Sequence, residues 1–312
     1  MIITVTFNPA VDKTAEVNTL IVGGLNRLFN VRQDAGGKGI NVSKTLKALG
    51  TSSLAVGFLG GSAGTFIEQA LEKAGIASHF VHVNGNTRTN LKVLNAQMEL
   101  TELNEPGPQI SADQIEDLIR VILSDAKEND LVILSGNVAP GVPDDVYALI
   151  IERLREKKIR CILDADGALF RKGIKAGPYA IKPNRYELAQ YFGLPEDELT
   201  TEKMVELGSR FLNEDTRLVA ISMGIEGSLF LSADEVISAP ALKIDYQSSV
   251  GAGDAMVAAI ADGLEKGMSL PDLVSWAVAV SAGACTTQGT QPAELSVVEE
   301  LRSRVQLSLL SR

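Results

Sequence analysis

The chain has 312 residues, 45% hydrophobic and 22% charged, a balance that suits a globular protein with a sizeable core and sets aside a disordered or fibrous chain. Its net charge is −10 with no basic run, so general nucleic-acid binding, which needs a phosphate-neutralising surface, is not expected. The only cysteines, Cys161 and Cys285, lie far apart, and the only histidines are His79 and His82, so neither a disulfide framework nor a zinc site is expected.

The N-terminus has no basic segment followed by a long apolar run, so it does not read as a secretory signal. Residues 273–293 lack charge, but Ser, Thr, Gln, Gly and Pro interrupt them too often for a membrane span. A cytoplasmic protein is the expectation. IITVTF (residues 2–7) reads as an apolar strand, and NPAVD follows it directly. Ligands of parallel α/β sheets collect beyond the carboxyl ends of strands, so Asp12 is placed to meet one, with a solvated turn carboxylate as the alternative. Residues 14–32 alternate and are broken by Gly23-Gly24, which reads as extended strands, and residues 87–103 read the same way with a turn at 95–97. These two excursions, about 13–33 and 86–104, are expected to pair into a small separate sheet, a lid on one compact domain.

Between them, DAGGKGINVSKTLKALG sets Gly36, Gly37 and Gly39 in a loop, and Val42, Leu46 and Leu49 on one apolar helical face ended by Gly50. Lys38 and Asn41 fall in the loop and first turn, within reach of an anion or a sugar hydroxyl; a purely structural tight turn is the alternative. Further on, HFVH alternates as a strand would, and Ser111 with Gln114 has the pattern of a capping box. SLAVGFLGG, DLVILSG, RCILDAD, YAIKPN and RLVAISMG recur as apolar strands between helical segments. That alternation predicts an α/β fold, a mainly parallel sheet covered by helices on both faces. Cys161 and Cys285 sit among apolar residues and are expected to be buried and inert.

The strand ends at Ser135, Gly136, Asp164, Lys182, Asn184, Ser222 and Gly224 are expected to line one crevice. Asn184 and Glu187, three apart at a helix start, form an oxygen pair suited to Mg²⁺, held directly or through water. A capping Asn with a solvent-facing Glu is the alternative. SMGIEGSLF reads as strand, turn and strand, with Gly224 and Gly227 letting a nucleotide approach the backbone. In QSSVGAGDAMVAAIADGLEK (247–266) a strand-like run enters Gly251, Ala252 and Gly253, and a helical pattern leaves them. Backbone N–H groups converging there favour a phosphate. Asp254 opens the helix beside that point, as an N-cap or as the base that takes a proton from an attacking hydroxyl. Two helices, about 270–287 and 294–307, close the chain.

A P-loop needs G-x-x-x-x-G-K-[ST], but Gly37-Lys38 is followed by Gly39. A dinucleotide fingerprint needs a third glycine where this chain has Val42 or Met256. With GGKGINVSKTLKALG near the start and SSVGAGDAMVAAI near the end, the sequence resembles the ribokinase-like carbohydrate kinases of the PfkB family, over nearly its whole length. TFNPAVDKT, TRTNLKV, IKPNRYEL and SMGIEG are similar to segments of that family's phosphosugar branch.

The resemblance implies a three-layer α/β/α fold and ATP-dependent phosphorylation of a ketohexose phosphate. Fructose 1-phosphate is expected first, with fructose 6-phosphate or tagatose 6-phosphate as alternatives and a non-catalytic sugar-phosphate sensor as a rival. It implies Asp254 as base and Gly251, Ala252 and Gly253 as anion hole. Asp12, Gly36, Gly37 and Asn41 would hold the sugar; Lys38, Arg88 and Lys92, with Arg27 from a partner subunit's lid, would hold its phosphate. Lys182, Asn184, Ser222, Gly224, Gly227 and Ser249 would serve ATP, and Glu187 with Asn184 the Mg²⁺. A homodimer paired through the lid is the implied assembly.

Overall fold

A computed structural model describes residues 1–97 and 99–310; Met98, inside the second β excursion, lies outside the described residues. The chain begins with β1 (Ile2–Thr6), β2 (Ala10–Glu16), β3 (Phe29–Gly36), α1 (Lys38–Ala48), β4 (Ser53–Leu59), α2 (Gly61–Lys73) and β5 (Ala77–His82). It continues through β6 (Arg88–Leu94), β7 (Leu100–Asn104), α3 (Ala112–Asp125), β8 (Leu131–Ser135), α4 (Val146–Glu156), β9 (Arg160–Asp164) and α5 (Gly167–Gly173). Then come β10 (Ala180–Ile181), α6 (Arg185–Phe192), α7 (Thr201–Ser209), β11 (Leu218–Ser222), β12 (Ser228–Leu231) and β13 (Val236–Ala239). The last elements are α8 (Ala252–Glu265), α9 (Leu270–Ala284), α10 (Leu295–Ser303) and β14 (Ser308–Leu310).

Ten strands form one sheet in the order β14-β13-β12-β11-β10-β9-β8-β1-β4-β5. Neighbours from β5 through to β11 run parallel, and β12, β13 and β14 add on antiparallel. Alternation along β1 shows how the layers form: Ile3 and Val5 pack with α3 and α4, while Ile2 packs with α1, α8, α9 and α10 on the other face. On that second face Thr4 Oγ1 meets Ser43 Oγ at 2.7 Å, and Ser53 Oγ donates to the same hydroxyl at 2.8 Å, so the polar groups trapped under α1 satisfy one another. The expected α/β/α architecture is therefore the observed one.

The second sheet is separate and small, in the order β3-β2-β6-β7. Its central pair β2·β6 is parallel and its flanking pairs antiparallel, so the two β excursions do meet each other as expected. The first excursion is extended only at its two ends. Residues 17–28 form a loop because Asn26 takes over backbone groups a strand would have used, accepting from Ile21 N at 2.8 Å and donating to Ile21 O at 2.9 Å. Helix α2 packs Ile67 and Leu71 against Val11 and Ala35 of this sheet and against Ala55 and Leu59 of β4. The small sheet thus stands over one end of the large one.

Helices α8 and α9 pack side by side and share one buried carboxylate. Asp262 of α8 is fully buried and accepts from Trp276 Nε1 and from Lys266 Nζ, each at 2.8 Å, and from the Thr51 hydroxyl. Burial of that charge is tolerable because every donor around it is aimed at it. Helix α9 ends at Ala284 and α10 at Ser303, earlier than the periodicity suggested, and Ser308–Leu310 form β14 on the sheet edge. Three residues are too few to show a strand period. Cys161 is buried as expected, and burial pushes its thiol well above the ordinary range; Cys285 is only partly buried. His79 and His82 sit on exposed positions of β5, facing Asp125 and Glu68. Among the described residues, no helix is long and apolar enough to cross a membrane.

Candidate active site

A cleft of about 450 Å³ lies between the carboxyl ends of the parallel strands and the inner face of the small sheet. Strands β9 to β11 contribute Asp164, Lys182, Asn184 and Ser222, while the start of α1 brings Gly37, Lys38 and Asn41. The start of α8 brings Gly251, Gly253 and Asp254, and the small sheet brings Asp12, Arg88 and Lys92.

The corner at α8 has the strongest chemistry. Gly251 is the N-cap in the left-handed region, φ 86°, and makes no side-chain cap, which is why glycine stands there. Asp254 is therefore not the cap. It lies in the first turn, 7% exposed, with Asn41 Nδ2 donating to its Oδ2 at 2.8 Å. Burial, and after it the negative charge of Asp164, push the Asp254 carboxyl up from 3.8 to about 6, against the pull of Lys38, Asn41 and Lys182. A carboxylate that holds a proton this readily is a better acceptor than a free one. The first-turn N–H groups of α8 have no intrahelical acceptors, and the helix dipole favours an anion at this end. Ala252 stays outside the cleft, and its N–H donates to Ser249 O at 3.2 Å.

Asp164, at the end of β9, is 1% exposed and faces two ammonium groups, Lys182 Nζ at 3.2 Å and Lys38 Nζ at 3.3 Å. Burial works to raise its carboxyl, but Lys182 and Lys38 outweigh burial and hold it below the ordinary value. Asp164 in turn pushes Lys38 up, with Asp254 and Glu187 adding to the effect. Lys182 reaches the anion corner as well: its Nζ is 3.5 Å from where a Cβ on Gly253 would lie. Lys38, expected beside the sugar's phosphate, is thus anchored at the Asp164 side, while Arg88 and Lys92 stand on the small sheet.

On β2, Asp12 accepts from Asn90 Nδ2 at 3.0 Å and from Lys92 Nζ at 3.1 Å. It is no solvated turn carboxylate. Gly36 does not line the cleft; a Cβ there would sit 2.7 Å from Asp12 Oδ2, so the glycine leaves room for the carboxylate. Arg88 is fixed by its Nε, which donates to Asn8 O at 3.2 Å. Asn184 and Glu187 form a reciprocal capping box on α6, Glu187 N to Asn184 Oδ1 and Asn184 N to Glu187 Oε2, each 2.8 Å. Glu187 nevertheless faces the cleft rather than solvent alone, and burial pushes its carboxyl up against the pull of Lys182.

Besides Ala252 and Gly36, four other expected site residues stand apart from the cleft. Gly224 begins a 3₁₀ turn, Gly224–Glu226, and Gly227 ends it, between β11 and β12. Ser249 presents its carbonyl to Ala252, and Arg27 is exposed in the 17–28 loop, away from the cleft of its own chain. Conversely, Asn90, Glu102, Asn104 and Thr290 line the cleft without having been singled out. Asn90 was legible, since it shares the period-2 face of Arg88 and Lys92. Glu102 and Asn104 pair across from Lys92 and Asn90 and follow from that register. Thr290 has no local signal; only the fold brings it to Gly251.

Comparison with known proteins agrees with this geometry. The family model described as pfkB family carbohydrate kinase matches residues 5–296. A 1-phosphofructokinase of Haemophilus influenzae is 33% identical over 310 residues, covering 99% of this chain and 98% of that protein. A D-tagatose-1-phosphate kinase of Bacillus licheniformis is 34% identical over 310 residues, covering 99% of this chain and 100% of that protein. The crystal structure of phosphofructokinase-2 from Escherichia coli in complex with potassium has a TM-score of 0.92 at 26% identity, covering 97% of this chain and 98% of that one. With a full-length match of sequence and fold around a cleft that pairs a buried carboxylate with a helix N-terminus, the chain belongs to the pfkB family of carbohydrate kinases.

Proposed function

We propose that the protein transfers the γ-phosphoryl group of ATP to the free primary hydroxyl of fructose 1-phosphate, giving fructose 1,6-bisphosphate and ADP. The observation that carries this reading is the union in one cleft of Asp254, buried beside the amides of α8, with Arg88 and Lys92 on the small sheet. A substrate carrying both a phosphate and a free hydroxyl matches that separation of cations from base. Arg88 supplies a fork suited to phosphate, and Asp12 orients ring hydroxyls from a fixed position between Asn90 and Lys92. Asn41 holds Asp254 so that its free oxygen meets the attacking hydroxyl. The hydroxyl oxygen forms its bond to the γ-phosphorus as the bond to the β-bridging oxygen breaks, and its proton passes to Asp254. Phosphoryl transfer has a loose transition state, so alignment and charge stabilisation supply most of the acceleration. Lys182 and Lys38, both paired with Asp164, stand where the transferring oxygens gather.

ATP enters this reading from the Lys182, Asn184 and Ser222 side, with the turn at Gly224 and Gly227 and the Ser249 segment flanking it. The donor set also fits a hydrated Mg²⁺. Glu187 Oε2 accepts from the backbone of Asn184, which leaves Oε1 available on a residue that lines the cleft. No group of three or more acidic, His or Cys ligands occurs among the described residues. An ion held chiefly by phosphate oxygens and water needs no more than Glu187 and Asn184. When bound, it would offset charge on the nucleotide phosphates. A homodimer through the small sheet is part of the same reading. Val22, Leu25, Val31 and Leu103 are 95%, 73%, 50% and 58% exposed on the loop and edge strands of that sheet, apolar surface that a partner copy would cover. Pairing there would carry Arg27 to a neighbour's cleft.

The test is ADP release measured with fructose 1-phosphate, fructose 6-phosphate, tagatose 1-phosphate and tagatose 6-phosphate. The highest kcat/KM is expected with fructose 1-phosphate; preference for a tagatose phosphate would transfer the assignment to that sugar, and ADP release with none of them would refute it.

A further inference from the structure

Asp34 lies on β3 directly opposite Asp12 of β2, so two carboxylates face each other across an antiparallel pair. Like charges in that position repel unless each has its own partner. Asp12 has Asn90 and Lys92; Asp34 Oδ2 accepts from Arg32 Nε at 2.7 Å, and Lys44 of α1 lies close enough to feel both carboxylates. The other oxygen of Asp34 leaves the small sheet. Its Oδ1 accepts from Gln291 Nε2 at 2.8 Å, and Arg32 Nη1 donates to Gln288 Oε1 at 3.4 Å. Among the described residues these are the only side-chain hydrogen bonds from the small sheet to residues 247–291.

The segment they reach forms a wall of the anion corner. Thr290 lines the cleft and lies 3.4 Å from where a Cβ on Gly251 would be. Its neighbour Thr287 donates to Gln291 O, which closes the turn. Upstream, Cys285 O accepts from Gln247 N at 2.8 Å and Ser248 N at 3.3 Å, tying the same stretch to the chain that enters Gly251.

We propose that Asp34 is a positioning residue that couples the two substrate half-sites, a role resting on the kinase reading above. A sugar phosphate seated on Asp12 fixes β2 against β3; through the Asp34–Gln291 bond, β3 then holds the 288–291 wall against Gly251, where the nucleotide's terminal phosphate arrives. Coupling of this kind is reciprocal, so each substrate tightens the other's binding. Neither Asp34 nor Gln291 touches a reacting atom.

Turnover by the wild type is measured first, and coupling is then read with whichever phosphosugar it uses, so failure of the substrate assignment is distinguished from failure of the latch. The dissociation constant of a non-hydrolysable ATP analogue is determined with and without that sugar. Gln291→Met, which keeps the volume and removes the donor, is expected to lower the sugar-induced gain in affinity at least about threefold. The analogue's affinity alone should stay within about twofold, and the loss should appear in the KM for ATP at saturating sugar. Asp34→Asn, which retains an acceptor for Gln291, should keep more of the coupling than Asp34→Ala. Coupling in Gln291→Met equal to wild type, or an equal loss of affinity for the analogue alone, would overturn the proposal.

Discussion

Asp254 and Asp164 are both buried carboxylates in one cleft, yet their surroundings drive them in opposite directions. For Asp254 burial, and after it the charge of Asp164, raises the proton affinity, while for Asp164 the nearby Lys182 and Lys38 outweigh burial and hold the carboxyl below its ordinary value. Turnover should therefore fall tenfold per pH unit below about 6 as Asp254 takes up a proton, which a kcat–pH profile will show. Stability runs the other way. The carboxyl titrates near 3.8 when unfolded and about 6 when folded, so between those values the folded chain holds the extra proton and loses stability as pH rises. Above that window the buried charge costs about 3 kcal/mol. Asp254→Asn should thus lose at least about 10²-fold in turnover while raising the melting temperature; near-normal turnover would refute the base assignment. Asp164→Asn leaves Lys182, 5% exposed, without its counter-ion, and should destabilise the fold by about 3 kcal/mol in urea titration as well as abolish activity.

At the scale of elements, two capping boxes among the described residues serve different roles. Ser111 with Gln114 starts α3 on the surface, and Asn184 with Glu187 starts α6 at the cleft. Ser111→Ala should cost about 1 kcal/mol and leave turnover unchanged. Asn184→Ala should cost a similar amount and, on the proposed reading, also raise the KM for ATP, measured by initial rates, because the same side chains line the cleft. The Ser111 box was readable from residue type and spacing alone, as were the strand-to-turn steps that end in Asp164 and Ser222; at Asn184 the spacing suggested an oxygen pair for Mg²⁺ or a capping Asn with a solvent-facing Glu, and the reciprocal bond from Glu187 was not foreseen. What escaped the sequence has a physical reason in each case. Asp254 read equally as cap or base because a helix N-terminus attracts carboxylates for both purposes, and only the positive φ of Gly251 separates the two. The bond from Lys38 to Asp164 left no sequence signal because the two stand 126 residues apart. Strand β14 was too short to carry a period.

Across the whole molecule, the division into a large parallel sheet and a small mixed one followed from where the hydrophobic period switched, and the two β excursions found each other as their patterns required. The outer surface of the small sheet is the exception to a well-covered core. Val31 and Leu103 stand on its two edge strands and belong to no buried cluster. Leu103→Asp should convert a dimer to monomers in light scattering after size exclusion, and should raise the KM for sugar phosphate if Arg27 works in a neighbour's cleft. A monomeric wild type would remove that role from Arg27.

The bond between Trp276 and Asp262 gives this enzyme a built-in optical reporter. The chain has a single tryptophan, and its indole is clamped to α8, two turns beyond Asp254, with Lys266 and Arg302 stacked on its ring at 5.8 and 5.4 Å. Excited at wavelengths that tyrosine does not absorb, that one ring reports only on the seat of α8. A spectral change on adding nucleotide would therefore test, without any label and in the same cuvette that follows turnover, whether the nucleotide reaches the head of α8.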